Sequence, residues 1–237
     1  MDSNTIVFDM IPTITFKLSS KLYVRDPHTS DLGHRIIQSS VDLIDRVGNE
    51  DFTFKKLATA IQSTEASIYR YFENKHKLLL YLIDWYWTWV EFRIGMSLQN
   101  IHSPEEKLRI ALRALVEEKD VDPEIPYVNE KKLQRIVISE FEKTYLTKDV
   151  DSDNKDGLFF PYKSLCKAVA SIITELNPKY KYPHSLVSTV LLSINHQLYY
   201  ASHLPSLSDI NAKSRDRHEE LCLFLEELVL NTVGDKR

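Results

Sequence analysis

From residue 30 onward the apolar positions of this chain recur at helical spacing. Leu32, Ile36, Ile37, Val41, Ile44 and Val47 fall on one face, which predicts an amphipathic helix. Ser30 or Asp31 is placed to cap its start and Gly48 to stop it. Thr53 opens a second, short helix whose inward positions are Phe54, Leu57, Ala58 and Ile61, and Thr64 opens a third that runs to Phe72, with Ile68 and Phe72 inward. After Glu73 and Asn74 a long helix is expected, extending toward Asn100. Ser103 caps the next helix, with Pro104 at its first position. Further helices are predicted over 129–147, 160–176, 183–204 and 210–233, separated by "DPEIPYV", by the polar stretch "TKDVDSDNKDG" read as a surface loop, and by Pro178, Pro183 and Pro205. The first residues differ: "TITFKLSSKLYVRDP" alternates in part, as an extended arm or short strand would. No internal repeat and no strand-rich region follows, so the expected fold is all-α.

Composition narrows the class. The chain has 237 residues, 43% hydrophobic and 27% charged, with only 5 glycines, as expected of a globular helical protein long enough for one or two cores. The longest apolar run, "LLLYLIDWYWTWV", is broken by Asp84 and falls short of a membrane span. Nor does the N-terminus show a basic start followed by an apolar core, so no signal peptide is predicted. Cys166 and Cys222 fit no metal spacing and are read as thiols in a reducing compartment. A cytoplasmic protein is expected, with no metal and no cofactor.

Net charge is −4, so any nucleic-acid surface must be local. One such patch exists. Residues 52–77 carry Lys55, Lys56, Arg70, Lys75 and Lys77 against only Glu65 and Glu73. Three short helices with a tight turn between the second and third make a helix-turn-helix, and its third helix is the recognition element. Thr64, Glu65, Ala66 and Ser67 at its start are short enough to let the helix end approach base edges. Tyr69 and Tyr71 offer hydroxyls to phosphate, Arg70 adds charge, and Lys75 and Lys77 lie at the next helix start, where free N–H groups also favour an anion. Glu65 either accepts from a cytosine amino group or complements the helix N-terminus.

The stretch "FTFKKLATAIQSTEASIYRYFENKHKLL" resembles the DNA-binding domain of the TetR family of transcriptional regulators. The matching positions are Thr53, Leu57-Ala58, Thr64, Ile68-Tyr69-Arg70-Tyr71-Phe72, Lys75 and Leu78, within about residues 31–80. Two departures stand out. The turn is Ile61-Gln62-Ser63 in place of Ala-Gly-Val, which asks Gln62 for a left-handed conformation, and the arm over 1–29 is additional.

The resemblance implies an N-terminal three-helix helix-turn-helix domain (30–78) followed by a larger antiparallel helical bundle for ligand and dimer contacts (79–237). It implies a ligand-responsive regulator, commonly a repressor, that acts as a homodimer on a pseudo-palindromic operator in double-stranded DNA. The partners are then DNA, a second copy and an unknown small-molecule effector, with no membrane and no enzymatic activity. The expected DNA-binding residues are Thr53, Lys55, Thr64, Glu65, Ala66, Ser67, Tyr69, Arg70, Tyr71, Lys75 and Lys77. The expected pocket residues are Trp87, Phe92, Phe141, Tyr145, Tyr162, His196 and Tyr199. Leu221, Leu225, Leu228 and Thr232 form a stripe suited to dimer packing. Lys17, Lys21 and Arg25 in the arm suit a minor groove, although Ile14, Phe16, Leu18, Leu22 and Tyr23 suit packing on the protein itself. "DVDSDNKDG" lacks the glycine position and closing glutamate of a calcium loop. The alternative function is a helical protein-interaction module that has lost DNA binding.

Overall fold

A computed structural model describes residues 14–122, 124, 125 and 127–234. Among these residues all regular structure is helical: α1 (Asp31–Asp51), α2 (Phe54–Ala60), α3 (Glu65–Tyr69), α4 (Lys75–Ser97), α5 (Pro104–Val116), α6 (Glu130–Tyr145), α7 (Val150–Lys155), α8 (Phe160–Leu176), α9 (Pro183–His203) and α10 (Arg217–Val233), with 3-10 turns at Pro27–Thr29 and Pro205–Leu207.

The helix starts follow local chemistry. Ser30, Thr53, Thr64, Asn74, Ser103 and Asn129 each accept a backbone N–H from the first turn of their helix, relieving donors that would have no intrahelical partner. α1 breaks at Gly48, whose φ of 77° is left-handed, and continues for three more residues. Gly33 has a different reason to be glycine: a Cβ there would meet the Pro27 carbonyl oxygen at 2.0 Å, so the 3-10 turn presses directly on the α1 backbone.

α4 is the axis of the molecule. It is apolar on all sides, with Leu78 to Trp87, Trp89, Val90 and Ile94 buried, and such a helix must be covered all round. α6 and α8 pack along it, α5 packs beside it, and α9 and α10 close the bundle from outside. The arm covers the remaining face. Phe16 lies edge-on to Trp85 at 5.5 Å and to Phe92 at 5.7 Å, Tyr23 meets Tyr81 at 6.1 Å, and Leu18 and Leu22 are buried. The Val24 N–H donates to the Tyr71 carbonyl at 2.8 Å. Ile14, Phe16, Leu18, Leu22 and Tyr23 of the arm are therefore spent on the chain's own core, while Val24 stays exposed; its first 13 residues lie outside the described ones.

Four expectations are corrected. "TKDVDSDNKDG" is not simply a surface loop: it contains α7, and Asp153 on that helix is buried. The third helix ends at Tyr69, with Tyr71 and Phe72 in the turn that follows. The last helix starts at Arg217, because 210–216 offers no apolar period to pack. Leu221 and Leu225 are fully buried inside their own chain and form no dimer stripe; the apolar residues that α10 exposes are Leu223 and Phe224.

Candidate nucleic-acid interface and effector region

α2 and α3 are too short to stand alone and are held by what lies under them. Phe54, Leu57, Ala58, Ile61 and Ile68 are buried against α1 and α4. Between the two helices the N–H groups of Ile61, Gln62 and Ser63 donate back to Leu57, Thr59 and Ala58. Gln62 does take the left-handed conformation, at φ 51°. The Arg35 guanidinium reaches from α1 to the Ile61 carbonyl at 3.2 Å and fixes this turn to the first helix.

What remains outward is polar. Thr53, Lys55, Lys56, Thr64, Glu65, Ala66, Arg70 and Lys75 are exposed, Ser67 is partly exposed, and Tyr69 is half-exposed with its ring edge-on to Phe54 at 5.0 Å. Thr53 and Thr64 hold their own helix starts, through Lys56 N–H and Ser67 N–H, both at 3.2 Å. Lys75 donates to the carbonyls of Asn49 and Glu50 at the end of α1. Lys56, the neighbour of Lys55, sits on the same side and donates to the Asp51 carbonyl at 2.7 Å; its charge was legible in the sequence, its place on this face was not.

Two expected contacts do not fit. Tyr71 is 2% exposed, and its hydroxyl shares a 2.7 Å bond with Ser30. The Arg25 guanidinium lies over its ring at 5.3 Å. Tyr71 thus joins the arm and α1 to the domain instead of facing outward. Lys77 is drawn inward as well: its amino group lies 3.3 Å from Asp153 of α7, which also meets His76 at 3.3 Å.

Residues 36–82 match the sequence profile of the bacterial regulatory proteins of the tetR family. Over this stretch the chain is similar to the DNA-binding domain of that family. No curated protein matches the chain by sequence, so the relatives are structural. AibR, solved with isovaleryl coenzyme A and operator DNA, shares 18% identity over 82% of this chain and 96% of its own, with a TM-score of 0.57. FadR from Bacillus halodurans, a fatty acid degradation regulator, shares 16% over 86% and 98%, at 0.56. The superantigen PfiT shares 14% over 90% and 100%, at 0.55. At such identities the likeness shows the fold: a TetR-like helical protein that matches nearly the whole length of these relatives. Among the described residues no helix is long and apolar enough to cross a membrane, and no group of three or more His, Cys, Asp or Glu could hold a metal ion.

In the helical bundle the expected pocket residues separate. Trp87, Phe141, Tyr145 and Tyr162 do come together: ring centroids lie 5.6 Å apart for Trp87 and Phe141, 5.4 Å for Trp87 and Tyr162, 4.6 Å for Phe141 and Tyr145, and 4.9 Å for Phe141 and Tyr162. Phe159 joins them, 4.7 Å from Tyr145. Phe92 does not, because five residues along a helix turn it well away from Trp87; it faces the arm and is 37% exposed. His196 and Tyr199 lie apart as well. His196 pairs with Glu142 at 3.3 Å, and the Tyr199 ring lies tilted against His203, centroids 4.6 Å apart. Tyr199 and His203 line an open cleft of about 470 Å³ between α1, α6, α9 and the start of α10, whose walls include Asp45, Arg135 and His218.

The residue that sequence reasoning missed is Asp84. It was legible only as the acid that interrupts an apolar run. In the structure its carboxyl is wholly buried beside the aromatic group and accepts the Tyr145 hydroxyl at 3.3 Å. Burial pushes its pKa well above the usual carboxylate range, and the Tyr145 bond only partly opposes that.

Proposed function

We propose that the protein is a ligand-responsive, DNA-binding transcriptional regulator, acting as a homodimer on a pseudo-palindromic operator, with repression as its outcome. The observation that carries this reading is the outward face of α2 and α3. Two capped helices, packed from beneath, present Thr64, Glu65, Ala66 and Ser67 at a helix start, flanked by the exposed Lys55, Lys56, Tyr69, Arg70 and Lys75. Short residues at the start of α3 read base edges, and the surrounding cations and the Tyr69 hydroxyl hold phosphates. Residues 30–78 form the DNA-binding unit and 79–237 the effector and dimer unit, with the arm bracing the two. Trp87, Phe141, Tyr145 and Tyr162 surround the effector, with neither Phe92 nor His196 among them.

The route from effector to DNA runs through α1 and α6. Asp42, Asp45 and Glu50 of α1 face Lys132, Arg135 and Lys143 of α6, at 2.6, 2.7 and 3.5 Å. A ligand that displaces α6 therefore moves the helix-turn-helix with it, and shifts the spacing of two recognition helices in a dimer. Selection of bound sequences from random duplex DNA tests the reading. A recovered palindrome, with binding weakened by Lys55→Ala and Arg70→Ala, supports it. No enrichment by a folded dimer, at low or moderate salt, replaces it with a protein-interaction role for the same surface.

A further inference from the structure

We propose that the effector is an organic monocation, an amine or quaternary ammonium carrying apolar groups, and that Asp84 is the counter-charge that selects it. The proposal rests on the effector region placed above between α4, α6 and α8.

Among the described buried acids, Asp84 and Glu130 alone pair with no cation, and of the two only Asp84 lies beside the aromatic group. Asp153 has Lys77 and His76, Glu226 has Arg109, and Glu140 has Lys143. No described Lys, Arg or His pairs with Asp84. Its Oδ1 receives one long bond from Tyr145, and its Oδ2 receives none. A carboxyl held so deep without a cation is costly, and an alanine or leucine would fill the same place in α4 without that cost. In the empty protein the carboxyl keeps its proton instead, and a cationic guest takes the proton's place.

The surroundings fit such a guest. Trp87 and Phe141 are buried and form the floor with Phe159, while Tyr145 and Tyr162 are only partly covered and form the rim. An electron-rich ring face attracts a cation most strongly where water is absent, and a ring of aromatic faces is the usual cage for an alkylated ammonium. Next to these rings, a void of about 10 Å³ lined by Trp87, Gln134, Ile138, Leu191, Ile194 and Asn195 separates α4 from α9. The cage is closed in this conformation. Outward rotation of the Tyr145 and Tyr162 rings opens it, and because Tyr145 stands on α6, the opening acts on the helix that grips α1.

The test uses the full-length protein without DNA and three probes of one shape: benzyltrimethylammonium, its neutral carbon analogue neopentylbenzene, and a benzylic carboxylate. Binding is read from the thermal midpoint and from tryptophan fluorescence. The ammonium is expected to stabilise the wild type and quench its fluorescence, the other two are not, and Asp84→Asn is expected to weaken the ammonium at least tenfold. Equal binding of the neutral analogue removes the charge role and leaves the pocket standing. Binding of none of the three at millimolar concentration removes both. If Asp84→Asn does not fold, the order of the three probes on the wild type still decides between these outcomes.

Discussion

Tyr69 and Tyr71 are two residues apart and carry the same chemistry, yet the structure gives them opposite work. Tyr69 is half-exposed on the face of α3, whereas Tyr71 is sealed against Ser30. Tyr69→Phe is therefore expected to weaken operator binding three- to tenfold, the loss of about one phosphate hydrogen bond, at unchanged thermal midpoint. Tyr71→Phe is expected to do the reverse, costing about 1 kcal/mol of stability with little effect on a saturated binding curve. Paired titration and melting of the two variants checks this, and equal effects on binding would refute the division. Glu130 permits a second test at the same scale. It is fully buried, its Oε2 accepts the Asp122 N–H at 3.1 Å, and its Oε1 has no partner. Burial pushes its carboxyl up to about 7, against the partial relief of its backbone bonds. The folded chain thus holds this proton more tightly than the unfolded chain does. Its contribution is most favourable below the unfolded value near 4.5, declines as pH rises to about 7, and is flat beyond. Glu130→Gln is expected to match the wild type near pH 5 and to exceed it by roughly 2 kcal/mol at pH 8; denaturant melts at the two values measure the difference.

At the scale of elements, what could be read from the sequence divides by the range of the forces involved. Helix starts at Ser30, Thr53, Thr64, Asn74 and Ser103 were legible because a cap acts within three residues. So was the left-handed Gln62, because it stands where the resembling family's turn has glycine. α7 was not: its N-cap residue makes no side-chain bond, its sequence is polar, and it is held by ion pairs to residues more than 70 positions away. The stripe on α10 misled for a related reason. A seven-residue apolar period serves a core as well as a dimer, and only the placement of α5 and α9 shows that Leu221 and Leu225 are already used. The same long-range logic gives α7 a consequence for DNA binding. Asp153 ties up Lys77, and Asp156 lies 3.4 Å from Lys21 of the arm. Asp153→Asn frees one cation at the edge of the helix-turn-helix. Operator affinity is expected to rise several-fold, and the slope of log affinity against log salt to steepen by about 0.9, as one further phosphate contact requires. Amide exchange over 150–158 should quicken in the same variant. Quicker exchange with an unchanged slope would show that Lys77 only anchors α7.

At the scale of the molecule, the question is which surface brings two recognition helices together. α10 spends Leu221, Cys222, Leu225, Val229 and Val233 on its own bundle and turns Leu223 and Phe224, 57% and 46% exposed, to the outside. Adjacent large apolar residues left outside on a helix that is otherwise well packed mark a contact surface. A twofold axis would set each such pair against its counterpart, since an isologous interface uses the same patch twice. The chain is then expected to sediment as a dimer at micromolar concentration. Replacing both residues, Leu223→Glu with Phe224→Glu, should give a monomer whose helicity and thermal midpoint are close to those of the wild type, because neither side chain belongs to the core. Its affinity for a full palindrome should fall to that of a half-site, since the second contact is no longer tethered to the first. A double variant that remains a dimer would move the interface to another face, and one that unfolds would show that this surface is held by its own chain. A monomer with full operator affinity would be the most damaging outcome, because it would break the link between spacing of the recognition helices and control by the effector.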